Sequence, residues 1–363
     1  MAKLLNFDQT IGEKRIVLAQ PIAGFNDQLN QTALCLDYCR RTGRDLIVNF
    51  KGGGLKHHLS DIFEPPFSRS DLAPQIWCMG AFESIHFEGR TTHPDCLKGH
   101  ARFLRTEIIG KHSPPLRVIA GTNSPSSLHY AENFQLRRIE DVPDFDAQIV
   151  LHLSAGGGIK GINFLKLLSL QAEIANAVLR RLVKLPKSLT AVHIRHTDIA
   201  ADAPRFFQAL NSTLEAENLL ICSDNQAVKE MAKDALSRSI NILSVSDLPD
   251  FDGAPTHLKA GFTASRDGVV SLLTDLLAMS GAQQLGFPTI MRGRRVVISG
   301  FSYLADQLRQ TPDIQKSLLK FGDNTLKHQY FENGPPSLPR NNNLSQKLIE
   351  YYPELACMEA ILG

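Results

Sequence analysis

One segment constrains this chain more than any other: Leu189-Thr190-Ala191-Val192-His193-Ile194-Arg195-His196-Thr197-Asp198. Its first half is apolar and rich in β-branched residues, which reads as a buried strand. It then stops on His, Arg, His, Thr and Asp. Open α/β sheets bind ligands just outside the carboxyl ends of their strands. The period of two along a strand puts His193 and Arg195 on one face, so both can address one ligand. A guanidinium there suits a phosphate, because its planar fork bonds two oxygens and stays charged. The plainer account is a strand end that solvates its polar residues.

The rest of the chain fits an α/β class. Strand 14–19, a turn at 21–26, a helix through Leu29, Ala33, Leu36 and Cys39 ending near Gly43, and strand 45–50 make a βαβ unit, the building block of a parallel sheet. Further strands are expected at 117–120 and 148–153, with 51–115 read as loops and short elements and 164–183 as a helix. Leu185-Pro186-Lys187-Ser188 reads as a linker. Beyond it, strands at 190–195, 218–222 and 240–245 alternate with helices at 204–215 and 226–237, and a longer helix is expected over about 266–285. At 363 residues two domains are the natural division. We place them at 1–185 and 186–310, two similar α/β halves with a cleft between them. Residues 311–363 read as a surface extension with a final short helix.

Composition serves mainly to exclude. A net charge of +2 is too mild to point to nucleic acid. No apolar run approaches the roughly 20 residues of a membrane helix, and the first residues lack the plan of a secretory signal. Six cysteines without a CxxC pair read as reduced thiols, with no metal site and a cytoplasmic location. His57, His58 and His152 lack metal-ligand context. The triplets Gly52–Gly54 and Gly156–Gly158 fit neither a dinucleotide nor a P-loop pattern and read as loops. Trp77 reads as a packing residue, with sugar stacking as the alternative.

Four segments fall at strand ends or strand–helix turns. Gly24-Phe25-Asn26-Asp27-Gln28-Leu29-Asn30 lies between the first strand and helix, where a glycine turn and helix amides can receive an anion or a hydroxyl. His193 to Asp198 is the second, and Cys222-Ser223-Asp224-Asn225 the third. In the fourth, Val296-Val297-Ile298 breaks into Ser299-Gly300-Phe301-Ser302, whose small residues and free amides suit phosphate oxygens.

In this order the segments resemble the superfamily of α1,2-, α1,6- and protein O-fucosyltransferases, with the bacterial nodulation-type α1,6-enzymes nearest in pattern. The resemblance spans roughly residues 15–310 and is strongest at His193 to Asp198. It implies a GT-B fold of two Rossmann-like domains, inversion at the fucose anomeric carbon, GDP-fucose as donor, and neither metal nor other cofactor. It implies that Arg195 binds the donor β-phosphate, that His193 lies near guanine or ribose, and that Ser299, Gly300, Phe301 and Ser302 hold the pyrophosphate. Asp275, matched to a D-x-x-x-x-S helix start ending on Ser280, would read guanine; a carboxylate suits the adjacent N1–H and N2–H donors. Three departures stand out: His196 replaces a second Arg found in several relatives, Asp27 replaces the usual Asn, and the spacing between Asp275 and Ser299 is longer than in the α1,6 group.

The resemblance also frames the remaining roles. The acceptor would be a glycan or oligosaccharide, met on the N-terminal side around Gly24, Asn26, Asp27 and Gln28. A base for its hydroxyl would come from Asp27, Asp198 or Asp202. Each has a plainer role: Asp27 as a helix N-cap, Asp198 as an anchor of its own loop, and Asp224 as a cap or ribose contact. Two rival readings remain, an enzyme of the same fold using another nucleotide sugar and a nucleotide-sugar-binding protein without catalysis.

Overall fold

Contacts divide the chain into two units, Met1–Gln171 and Ala172–Gly363. The structure, a computed structural model, describes residues 4–51, 53–64, 74–82, 89–93, 127–128, 137–138, 144–154, 156–196, 201–214, 216–236, 238–246, 264–288, 290–292, 295–333, 344 and 348. Asp198, the strand expected at 117–120 and most of the tail beyond 333 lie outside them.

The first unit opens with α1 (Phe7–Ile11) and β1 (Ile16–Pro21), all of whose residues are buried. Burial on both faces is what a central parallel strand requires. α2 (Phe25–Thr42) begins after Ala23, at φ 72°, with Gly24 as its cap. It stops at Gly43, whose left-handed backbone (φ 65°) lets its N–H reach the Cys39 carbonyl. β2 (Asp45–Val48) then returns parallel to β1, completing the βαβ unit read from sequence. There follow β3 (Phe63–Glu64), β4 (Ile76–Cys78), β5 (Thr92–His93), β6 (Ser127–Leu128), β7 (Arg137–Arg138), β8 (Ile149–Ser154), α3 (Gly161–Leu165) and β9 (Ser169–Leu170).

The main sheet of this unit has the order β4-β2-β1-β8-β5, with every neighbouring pair parallel. The chain winds outward from β1 to β2 and β4, and β8 joins the other side of β1. That reversal makes the β1/β8 boundary the place where a crevice opens at the carboxyl edge. Phe7, Ile16, Leu18, Ile47, Met79, Phe82, Ile149 and Leu151 build the core on one face.

The second unit contains α4 (Ala172–Leu182), β10 (Thr190–Ile194), α5 (Ala203–Thr213), β11 (Asn218–Ser223), α6 (Gln226–Ala235), β12 (Asn241–Leu243), α7 (Arg266–Gly281), β13 (Gln284–Gly286), β14 (Ile290–Arg292), β15 (Arg295–Val297), α8 (Gly300–Arg309), α9 (Pro312–Leu318) and α10 (Asn324–Asn333). Its sheet is parallel in the order β12-β11-β10-β13, so its reversal falls between β10 and β13. Val192, Ile194, Leu219 and Ile221 share one face with Phe206, Phe207 and Leu210 of α5. By alternation His193 and its register partner Cys222 share the opposite face.

Several expectations are corrected. The helix expected over 164–183 is two helices, α3 and α4, interrupted by β9, because Leu170 and Ser169 pair with Phe63 and Glu64. α4 lies in the second contact unit, where it packs against α7. The helix expected to reach 285 ends at Gly281, because Gln284–Gly286 pairs with the open side of β10. Ile76–Cys78, inside the stretch read as loops, is a strand of the main sheet. Residues after Gln310 are not merely a surface extension: Gln315, Leu318, Leu319, Tyr330, Leu344 and Leu348 are buried.

Candidate functional site

β10 delivers His193 to the carboxyl edge of the second sheet, and Arg195 follows directly. The loop beyond is held by its own main chain. Asp224 Oδ1 accepts the His196 N–H at 2.8 Å, the Asn225 amide donates to the His196 carbonyl at 3.1 Å, and Ser223 Oγ donates to the Ile194 carbonyl at 2.7 Å. Asn225, not Asp224, caps α6 by accepting from the Ala227 N–H at 2.8 Å. Asp224 therefore shapes the loop that follows Arg195. His196 Nδ1 lies 3.1 Å from the Ala201 carbonyl, which fixes Nδ1 as a donor.

The start of α8 meets His193 on the same face. His193 Nδ1 lies 2.7 Å from Ser302 Oγ, and the imidazole stands 5.4 Å from the Phe301 ring, centroid to centroid. Burial pulls the His193 pKa down to about 4; the Asp224 carboxylate opposes this and the Arg195 guanidinium reinforces it. The ring is therefore neutral at ordinary pH. The first hydrogen bond of α8 runs from Tyr303 N–H to the Ser299 carbonyl at 3.0 Å. The amides of Gly300, Phe301 and Ser302 thus have no intrahelical partner. Ser299 is only 6% exposed, yet its hydroxyl makes no cap bond and has no partner among the described residues. A helix start whose first amides lack intrahelical partners, with a positive dipole end and a buried hydroxyl unpaired among the described residues, is suited to an anion.

Asp275 lies one strand over, beside Cys222. It is not at a helix start, as the motif match implied: α7 is capped by Ser265, and Asp275 lies well inside the helix. Ser280, the other end of that match, is buried and donates to the Leu277 carbonyl at 3.0 Å. Asp275 Oδ2 accepts from Ser246 Oγ at 2.8 Å, and Oδ1 has no hydrogen-bond partner among the described residues. Burial pushes its carboxyl up to about 6, against the pull of Lys229, Ser246, Cys222 and Arg181. Lys229 and Ser246 were not singled out from sequence. The available signal was a lysine on the inward side of α6, three residues before buried Ala232.

In the first unit the residues read as acceptor-side are mostly engaged. Gln28 joins two strands of loop: Nε2 donates to the Phe50 carbonyl at 2.8 Å and Oε1 accepts the Leu55 N–H at 3.0 Å. Asp27 is not the N-cap of α2; Gly24 holds that place and Asp27 sits in the first turn. Its Oδ2 folds back to within 3.2 Å of where a Cβ on Gly24 would stand. Asn26 is buried, with Oδ1 lacking a partner among the described residues. Asp202 is exposed and caps α5 by accepting the Arg205 N–H at 3.1 Å through Oδ1. Among the described residues no three His, Cys, Asp or Glu side chains group as metal ligands, and no helix is long and apolar enough to cross a membrane.

No family model matches the chain, and no curated protein sequence matches it. Solved structures do. The chain is similar to fucosyltransferases. The fucosyltransferase NodZ from Bradyrhizobium shares 16% identity over 82% of this chain and 94% of its own, with a TM-score of 0.48. NodZ α-1,6-fucosyltransferase soaked with GDP-fucose gives 15% identity, 81% and 92% coverage and a TM-score of 0.48. POFUT1 in complex with GDP gives 12% identity, 82% and 96% coverage and a TM-score of 0.43.

Proposed function

We propose that this chain is an inverting, metal-independent fucosyltransferase of GT-B architecture, moving L-fucose from GDP-fucose to a glycan or oligosaccharide acceptor. The observation that carries it is the start of α8, whose first amides lack intrahelical partners and whose buried Ser299 hydroxyl is unpaired among the described residues, set against His193 at the end of β10. That arrangement supports a diphosphate site. The ordered motifs Gly24 to Leu29, His193 to Asp198, Ser223-Asp224 and Ser299 to Ser302 support a GDP-sugar as its occupant.

The chemistry follows from charge. As the fucosyl carbon leaves oxygen, positive charge grows on the sugar and negative charge on the β-phosphate. Fixed donors aimed at that phosphate lower the barrier without reorganising. The amides of Gly300, Phe301 and Ser302 and the Ser299 hydroxyl would serve there, with Arg195 as the full positive charge. Neutral His193 adds no competing charge and fixes the Ser302 hydroxyl. The acceptor hydroxyl loses its proton to a carboxylate, drawn from Asp27, Asp198 or Asp202. Asp202 spends only Oδ1 on its cap and keeps Oδ2 for a proton.

Calorimetric titration with GDP, UDP and ADP in the presence of a chelator tests this on wild type and Arg195→Ala. GDP should bind selectively, and Arg195→Ala should weaken it. Equal binding of the three nucleotides by folded wild type would favour another nucleotide sugar, and GDP binding without transfer from GDP-fucose to any glycan would favour a binding protein.

A further inference from the structure

Beside the diphosphate site lies a buried polar relay that phosphate binding does not use. Lys229 of α6 is 4% exposed. Its ammonium spends its three donors on Ser244 Oγ at 2.8 Å, the Ser246 carbonyl at 2.6 Å and Ser246 Oγ at 3.1 Å. Ser246 Oγ in turn donates to Asp275 Oδ2 at 2.8 Å. Lysine and aspartate are thus linked through one serine. Oδ1 is left as a buried acceptor with no partner among the described residues.

A lysine and an aspartate buried for folding alone would be expected to meet and satisfy each other, since a buried polar atom left unpaired forfeits its solvation without compensation. Here the ammonium is turned onto the serine and one carboxylate oxygen is kept idle. Beside Ser246 the carboxyl has the Cys222 S–H, a weak donor, as its other hydrogen-bonding neighbour; an oxygen without an N–H or O–H partner among the described residues calls for an external N–H donor. Asp275 stands beside Cys222, whose register partner His193 contacts the start of α8. Neighbouring strands are about 4.8 Å apart, so Asp275 and the start of α8 lie over the same face of the sheet, beside β11 and β10 respectively.

We propose that Lys229, acting through Ser246, is the positioning residue that fixes the Asp275 carboxyl with Oδ1 presented as an ionised acceptor to the N–H donors of the nucleotide base. This rests on the guanine-nucleotide reading above and adds the residues that make it selective. The groups facing the carboxyl are Lys229 from α6, Cys222 from β11, Ser246 after β12 and Arg181 from α4. Cys222 is itself buried, and burial together with Asp275 pushes its thiol up, so it stays a neutral S–H. Lys229 and Arg181 are the two charges that favour the carboxylate. Protonated, Asp275 would meet a base N–H with an O–H and lose the contact. Affinity for the base is then present above the carboxyl's own pKa and lost as pH falls through it, and removing Lys229 moves that midpoint up.

The test is titration of GDP, with UDP as the base control, into wild type, Lys229→Met and Ser246→Ala between pH 5 and 8.5. Wild type should prefer GDP and lose that preference near pH 6. In Lys229→Met the midpoint should rise by about one pH unit, read as about a fivefold loss of GDP affinity at the former midpoint. UDP binding should not move. Ser246→Ala, a small change expected to fold in any case, should shift the midpoint in the same direction and decides the matter if Lys229→Met does not fold. Unchanged midpoints in folded variants, with GDP still preferred by wild type, would overturn the positioning role and leave the guanine reading standing. A wild type with no preference for GDP would overturn both.

Discussion

At the carboxyl end of β1 amide side chains lace the loops beside β8 together and the buried groups left over are amides, Gln20 and Asn26 Oδ1, whereas near the carboxyl end of β10 the buried groups left over are a hydroxyl and a carboxylate oxygen. In the first unit Asn30 and Gln31 donate to the Gly156 carbonyl at 3.2 and 2.7 Å, and Asn30 Oδ1 accepts the Lys160 N–H at 3.2 Å. Gln31 Oε1 is 2.9 Å from His152 Nε2. Gln28 holds the other loop, and glycines let the backbone come that close: a Cβ on Gly54 would stand 2.6 Å from the Ala23 carbonyl. In the second unit the matching place holds the Ser299 hydroxyl and Asp275 Oδ1, both buried and unpaired among the described residues. Two sheets wound the same way therefore place their cost differently. One spends most of its amide hydrogen bonds on its own loops and leaves neutral amide atoms over. The other leaves over a desolvated hydroxyl and a carboxylate oxygen, groups that an anion and an N–H donor would satisfy.

The largest break in this contrast should come from Arg195→Ala. If it supplies the charge opposite the leaving diphosphate, turnover of GDP-fucose should fall by about 10²–10³-fold with circular dichroism unchanged. Near-normal turnover by soluble protein would end that role. Asp202 separates shape from chemistry: Asp202→Asn keeps an acceptor for the α5 cap but no proton acceptor, so a base role predicts a turnover loss of about 10²-fold or more without loss of stability. A fully active Asn variant would return the role to Asp27 or Asp198.

Gln28→Ala should act on stability, not on the nucleotide. It leaves the Phe50 carbonyl and the Leu55 N–H buried without their partner, a cost of about 2–4 kcal/mol in urea unfolding, while GDP affinity stays within about twofold. A large loss of GDP affinity with no loss of stability would erase the distinction between the crevices.

The pH dependence of stability sharpens the same point, because the two buried groups of the second unit act with opposite signs. His193 is held near 4, below its usual 6.5, so its contribution is present above about pH 6.5 and lost as pH falls toward 4. Asp275 is raised from 3.8 to about 6, so its contribution is present below about pH 4 and lost as pH rises through 6. Each is worth up to about 3 kcal/mol. His193→Asn should remove the first slope and Asp275→Asn the second in unfolding followed from pH 4 to 7.5. Variants that leave the slopes in place would mean that these groups are not desolvated in the native state.

Ser299→Ala should give the smallest change and the most telling sign. Deleting an unpaired buried hydroxyl should raise the stability of the unliganded protein by about 1 kcal/mol, yet weaken GDP binding. A destabilised variant would show that the hydroxyl already has a partner in the free protein.

Much of this was written locally. The β1–α2–β2 unit is legible because Ile16 to Ala19 are apolar throughout and Gly43 supplies the left-handed stop. β10, β11, α6 and α8 are equally plain, as apolar runs broken by polar or small residues. β9 and β13 were not legible, because short segments such as Ser169-Leu170 and Gln284–Gly286 become strands only when a distant partner offers its edge. The burial of α9, Tyr330 and Leu344 has the same origin.

The sequence by itself determined which side chains could serve a phosphate and roughly where strands end, because alternation and turn chemistry act over a few residues. It placed His193 and Arg195 on one face and Ser299 to Ser302 at a helix start. Only the tertiary structure decided which of those polar groups are already spent. Gln28 is consumed by two loops, Asp202 by a cap in part, and Ser299 and Asp275 Oδ1 by nothing described. The reason is physical: a hydrogen bond between residues as far apart as Lys229 and Ser246 is set by which elements the sheet order brings together, and no local pattern records it.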